Sequence, residues 1–222
     1  MNEKWGRKID GGWLDEEQHI YRCDRGIIRP STTQVFDLLG MVDLGNASKE
    51  VLDFKSQYGI SLHRGVQLLA AEDLDWDSVD DRLIAPLTGI EQFLKDVEFV
   101  IEAAEEARVI TYAGMTYGMT LDLRGSMTYQ GKRRKAIADV KTGIKFSPTW
   151  TWQLGGYILP YPVYSLGVIF QIRPDGKVIP HYVADIEKAK REFQILLAAA
   201  ILKINAQLDK SWKNGAYGNT NT

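Results

Sequence analysis

Ala136-Ile137-Ala138-Asp139-Val140-Lys141-Thr142-Gly143 is the stretch on which the reading of the fold turns. Its first residues are apolar, and charge arrives only at Asp139 and Lys141. Alternate side chains of a strand share a face, so these two project together from the end of an otherwise buried strand. An unpaired carboxylate or ammonium in that position is costly. A divalent cation held by Asp139 and by Asp122, seventeen residues upstream, would compensate, with Lys141 beside it. Oxygen ligands of this kind suit Mg²⁺ or Mn²⁺. The spacing taken alone favours an ordinary ion pair at a strand end, because Asp-x-Lys is a very common tripeptide.

Outward from this strand, Val109-Ile110-Thr111-Tyr112 and Met119-Thr120-Leu121-Asp122-Leu123 read as strands separated by Gly114 and Gly118. Ser147-Pro148 opens a helix that Pro160 ends. Strands from Tyr164 to Ile172 and from Lys177 to Val183 are joined through Pro174-Asp175-Gly176, a hairpin signal. A last helix starts near Asp185, with Ile186, Ala189, Phe193, Leu197, Ala200 and Ile204 on its apolar face. Upstream, Pro30-Ser31-Thr32-Thr33-Gln34 offers a helix start, and Leu62, Val66, Leu69 and Ala70 mark a second helix. The expectation is one α/β domain over residues 1–222, with a small central mixed sheet flanked by helices. Its parts are an irregular segment at 1–30, a helical part at 31–106, a catalytic sheet with covering helices at 107–212, and a flexible tail at 213–222.

The chain has 222 residues, 45% hydrophobic and 25% charged, the balance of a globular protein. Its formal net charge of −2 excludes binding of nucleic acid through bulk basicity. The average conceals an asymmetry. Residues 72–106 carry twelve acidic side chains against Arg82 and Lys95, whereas 122–147 carry seven basic ones against Asp122 and Asp139. One cysteine, Cys23, forbids an intrachain disulfide, a four-thiolate zinc site and an iron–sulfur cluster. The start of the chain lacks a signal-peptide core, and the longest apolar run, Ile195 to Leu202, is too short to span a bilayer. A cytoplasmic protein without membrane contact is expected.

Several motifs recur in order: Gly59-Ile60-Ser61-Leu62-His63, Glu106, Gly118-Met119-Thr120-Leu121-Asp122, Asp139-Val140-Lys141-Thr142-Gly143, and Gln153 four residues before Tyr157. The set resembles the PD-(D/E)XK nuclease superfamily, and in particular its RecB-like branch with compact phage exonucleases, over roughly residues 59–185. Leu121 stands where the superfamily's eponymous proline would be. The resemblance implies a restriction-endonuclease-like fold and a metal-dependent DNA exonuclease, in a phage or prophage setting of recombination or end processing. It implies Asp122, Asp139 and the Val140 carbonyl as holders of one or two Mg²⁺ or Mn²⁺ ions, completed by Glu106 and His63. Lys141 would position or deprotonate the attacking water, and Gln153 and Tyr157 would fix the lysine or a DNA phosphate.

Glu105 neighbours Glu106; Glu106 is preferred because Glu106-Ala107-Arg108-Val109 fits the local pattern. His19 and His181 lack comparable context and are placed outside the site. Gly155-Gly156 would keep the helix surface low enough for another backbone or a phosphate. The basic run Lys132-Arg133-Arg134-Lys135, with Lys145 and Trp150, is assigned to DNA, Trp150 by stacking on an unpaired base. No phosphate-binding loop for ATP is present, so no nucleotide cofactor is expected. A single-strand annealing protein and a ring-like homo-oligomer are possible partners by resemblance only. Two rivals stand beside this reading: a structure-specific or restriction-like endonuclease, and a catalytically silent nuclease fold that binds DNA.

Overall fold

A computed structural model describes residues 5–42, 48–209 and 212. The described chain is mixed α/β, with five α-helices and two sheets. It begins with β1 (Arg7–Ile9), β2 (Gly12–Asp15), β3 (Ile20–Cys23) and β4 (Ile28–Arg29), an antiparallel meander. This corrects the irregular reading of the segment over its described residues, 5–30. Strands of two to four residues are too short to show alternation. They hold because Ile9, Leu14 and Tyr21 bury against Val109, far along the chain.

Helices α1 (Thr32–Leu38), α2 (Lys49–Ala70) and α3 (Asp81–Asp96) follow. Ser31 and Gln34 form a capping box at α1, which satisfies two orphan amides reciprocally. The acidic Asp73–Asp77 stretch contains only a short turn over Trp76–Ser78, capped by Asp75. Next come β5 (Val100–Tyr112), β6 (Met115–Tyr129), β7 (Lys132–Lys141), α4 (Pro148–Ile158), β8 (Leu166–Ile172), β9 (Val178–Val183) and α5 (Ile186–Asn205). The helical part therefore ends before Val100, and Glu106 lies inside a strand rather than at a helix end. The helix-prone run Glu102-Ala103-Ala104-Glu105-Glu106 is overridden by its pairing with β6. The tail at 213–222 lies outside the described residues.

The second sheet has the order β5-β6-β7-β8-β9, antiparallel except for the parallel β7–β8 pair that α4 connects. Helices α1, α4 and α5 cover one face through Phe36, Leu154, Phe193 and Leu197, packed on Ile137 and Ile169. Helices α2 and α3 cover the other through Leu62, Val66, Leu87 and Ile90, packed on Ala138, Val140 and Phe170. One irregularity positions everything below. The β6–β7 ladder stops at Leu123 opposite Ala138, while β5–β6 continues to Tyr112 opposite Met115 and β7–β8 continues to Lys141 beside Gln171. The sheet forks where Asp122 and Asp139 stand.

Candidate functional site

Register explains which carboxylates meet at the fork. Ala104 lies opposite Leu123 and Glu106 opposite Leu121, so Glu105 faces Asp122 between them. Both strands change face at this step. Leu121 packs under α1, α4 and α5, but Leu123 packs under α2 and α3. On β5, Ala104 joins the α2–α3 side, whereas Glu106 reaches Tyr161 on the opposite side. Glu105 takes a left-handed backbone, φ +50°, in the middle of a strand. That conformation costs a non-glycine residue roughly 1–2 kcal/mol, strain of the kind that collects at functional sites.

Helix α2 supplies the third member. Leu62 and Val66 anchor it in the core, and His63 between them faces the fork. Its Nδ1 lies 3.1 Å from Asp122 Oδ1 and 3.9 Å from Glu105 Oε1. Ligand atoms of His63, Glu105 and Asp122 all fall within 4.8 Å of one another, so the three can converge on one cation. Asp122 is oriented by the fork itself: its Oδ2 accepts the Val140 amide at 2.5 Å, an N–H that β6 no longer satisfies. Val140 thus serves the site through its amide. Asp139 is fully buried beside them and outside the trio; its Oδ1 accepts Lys141 Nζ at 2.8 Å. Its Oδ2 lies 2.8 Å from the same ammonium, yet has no hydrogen bond among the described residues.

These contacts set the charge states. Burial alone would lower the His63 pKa, but the charge and hydrogen bond of Asp122 outweigh it and lift it to about 9. Burial, then the Asp122 charge, pushes Glu105 up to about 7. Burial likewise raises Asp139 to about 6 against the pull of Lys141. Asp122 is held below its ordinary value, because His63, Lys141 and the Val140 amide together overcome its burial. Two close carboxylates, Glu105 on a strained backbone and Asp122 held in its ionised form, converge with His63 in a donor set that a divalent cation fits.

The trio lies in a cleft of 800 Å³ with Lys141, Gln153 and Tyr157 on its wall. Its opposite lip is the β2–β3 turn with Glu16, Glu17 and His19. His19, expected outside the site, therefore lines the same cleft; nothing in its local sequence reveals this, because the meander that carries it is itself invisible to periodicity. Tyr21 of that meander donates or accepts across to Thr120 at 2.6 Å and ties the lip to β6.

Other expectations fare differently. Glu106 points away from the trio and binds Arg124 and Tyr161, each at 2.8 Å. Glu105 takes the place assigned to it, because neighbouring strand residues face opposite sides and only the register says which faces α2. Gln153 and Tyr157 line the cleft but bond to each other at 2.5 Å, and Asp139 holds the lysine instead. Gly155 and Gly156 serve packing: added Cβ atoms would lie 2.3 Å from the Ala189 carbonyl oxygen and 2.8 Å from the Phe193 ring. The basic run is not beside the site. Lys132–Lys135 begin β7, and Lys135 is six residues, roughly 20 Å, from Lys141. There Arg133 donates to the Glu98 carbonyl and Lys135 pairs with Glu102. Lys145 lies in the loop that follows β7 and Trp150 in the first turn of α4, and neither lines the cleft. His181 lies outside the cleft lining and bonds Gln171 at 2.9 Å.

No family model and no curated protein matches the chain. Among solved structures it is similar to the crystal structure of SSO0001, at 17% sequence identity and a TM-score of 0.33, over 77% of this chain and 82% of that one. A likeness of that size carries no argument about fold or activity. Among the described residues no helix is long and apolar enough to cross a membrane.

Proposed function

We propose that the chain is a divalent-cation-dependent deoxyribonuclease acting at DNA ends, an exonuclease of the RecB-like branch of the PD-(D/E)XK superfamily with its restriction-endonuclease-like fold. The observation that carries this reading is the meeting of His63, Glu105 and Asp122 beside the Asp139–Lys141 pair in one cleft. The carboxylates suit Mg²⁺ or Mn²⁺, and the imidazole tips the set towards Mn²⁺. A bound ion would lower the pKa of its water and stabilise charge on the scissile phosphate.

The remaining work falls to the chain. Asp122, fixed by the Val140 amide, and Glu105, fixed by its kinked backbone, present oxygens that need no reorganisation on binding. His63 ligates only after releasing the proton it shares with Asp122, so occupancy rises with pH. Lys141 keeps its ammonium against Asp139 and orients the attacking water from there. Gln153 and Tyr157 wall the cleft where the phosphate backbone lies. Recombination or end processing in a phage setting is the role the resemblance suggests.

The test is end-labelled linear duplex DNA beside covalently closed circular DNA, each with Mn²⁺ or Mg²⁺. Consumption of the linear form with the circle intact is expected. Cleavage of both would turn the reading to an endonuclease, and cleavage of neither would end it.

A further inference from the structure

The loop that follows Lys141 presents apolar side chains to water beside the site. Ile144 is 73% exposed and Phe146 45%, with exposed Lys145 between them. A connector free to relax would turn Ile144 and Phe146 inward, since each gains roughly 1.5–3 kcal/mol on full burial. This loop is held by its backbone instead. Gln171 Nε2 donates to the carbonyls of Gly143 (2.5 Å) and Ile144 (3.0 Å), and Arg173 Nη1 donates to Ile144 at 2.8 Å. Gly143 lies so close to the Trp150 ring that a Cβ would come within 2.7 Å of it.

Behind Ile144 the rings gather. The Phe146 centroid is 5.5 Å from Trp150, edge-on, and 4.9 Å from His181. Gln171, which pins the loop, also bonds His181, so one residue sets both the loop and the ring behind it. The same Gln171 is the ladder partner of Lys141, so the residue that pins the loop stands one strand spacing, roughly 4.8 Å, from the backbone of the site lysine. A cleft of 260 Å³ opens beside Phe146 and His181.

We infer that Ile144, Phe146 and Trp150, flanked by Lys145 and Arg173, form a stacking platform for unpaired bases, so that the strand presented to the site is single-stranded. The occupant follows from chemistry and position. Aromatic faces take any base, the two cations take the phosphates between bases, and the loop that carries the platform leaves β7 directly after Lys141, which lines the cleft of the proposed nuclease site. The inference extends the nuclease reading to its substrate form, and its test separates the two.

Binding of short fluorescein-labelled oligo(dT), of an abasic strand of equal length and of a blunt duplex is followed by anisotropy in EDTA. Wild type is compared with Phe146→Ala and Ile144→Ser; the latter, at a largely exposed position, keeps the test valid if the former fails to fold. Phe146→Ala is expected to weaken oligo(dT) binding roughly 5- to 150-fold, the range for one lost base stack, Ile144→Ser to weaken it by a smaller factor through the lost apolar contact, and both to leave abasic and duplex binding unchanged. Unchanged oligo(dT) affinity in folded variants, equal loss on the abasic strand or the duplex, or no oligo(dT) binding by wild type overturns the platform. The same preparations are assayed for Mn²⁺-dependent cleavage of linear duplex. Stacking without cleavage keeps the platform and ends the nuclease reading; cleavage with unaltered oligo(dT) binding does the reverse.

Discussion

Replacing Glu105 by Gln should make the metal-free protein more stable and the metal-binding protein nearly inert. The carboxylate is partly buried, faces Asp122 across the β5–β6 register and titrates near 7 rather than at its ordinary 4.5. At pH 8 it is therefore ionised against a preference of about 3 kcal/mol before solvent screening. Gln keeps the volume and the backbone and removes the charge. The expected gain is about 1–3 kcal/mol, a rise in melting temperature of roughly 2–12 °C for a chain of this size. The same change removes one of three protein donors, and Mn²⁺ affinity should fall by about 100-fold or more, since even outer-shell changes cost 10- to 100-fold. Glu106→Gln, one residue on, should behave in the opposite way. It loses its ion pair with Arg124 and weakens the bond from Tyr161, both on the far side of the sheet, which costs stability by about 1 kcal/mol and leaves Mn²⁺ affinity alone. Scanning calorimetry in EDTA and titration calorimetry with Mn²⁺ read both quantities. A lower melting temperature for Glu105→Gln, an undiminished Mn²⁺ affinity for it, or a lost affinity for Glu106→Gln would refute the placement of the site carboxylate.

The metal-free protein should lose stability as pH rises from about 5 to 9.5. Asp139, Glu105 and His63 have folded pKa values raised to about 6, 7 and 9, so each contributes stability below its ordinary value that is lost as pH rises through the folded one. Melting in EDTA across this range shows it, and a curve that climbs throughout would contradict these assignments. Asp122, held down, acts in the other direction, and its contribution is lost on strong acidification. Gly155→Ala should destabilise by about 1–3 kcal/mol in urea titrations, because its Cβ meets the backbone of α5; a neutral result would mean the α4–α5 contact is looser than described. Lys141→Met should cost more stability at pH 8 than at pH 5, where Asp139 is already protonated and needs no counter-charge, and equal costs at the two pH values would argue against the buried pair.

What the sequence discloses here follows the range of the forces involved. Local signals are legible: Ser147-Pro148 opens α4, Asp185 caps α5, and Pro174-Asp175-Gly176 turns between β8 and β9. The apolar run ending in Asp139-Val140-Lys141 is also legible, because a strand buried on both faces reads as a continuous hydrophobic stretch. The N-terminal meander is not, since its short strands are held by Tyr21 and Leu14 packing on Val109, a contact with no local trace. Choosing between Glu105 and Glu106 needs the register of β5 on β6 and the kink at Glu105, and a one-residue error in register reverses every face. Charge sign is readable in Lys132-Arg133-Arg134-Lys135, but its end of β7 is not. The exposed Ile144 and Phe146 gain meaning only from Gln171 and Arg173, two residues of another strand and its loop.

The most direct test of the central claim compares wild type with Asp122→Asn and Lys141→Ala for release of acid-soluble nucleotides from linear DNA in Mn²⁺. Asp122→Asn is near-isosteric and keeps an oxygen for the Val140 amide, so the fold should survive while the cation site loses a charge. Wild type should release nucleotides and both variants should fall by roughly a hundred- to a thousandfold, each still folded by circular dichroism. No release by wild type, or equal release by all three proteins, would contradict the claim.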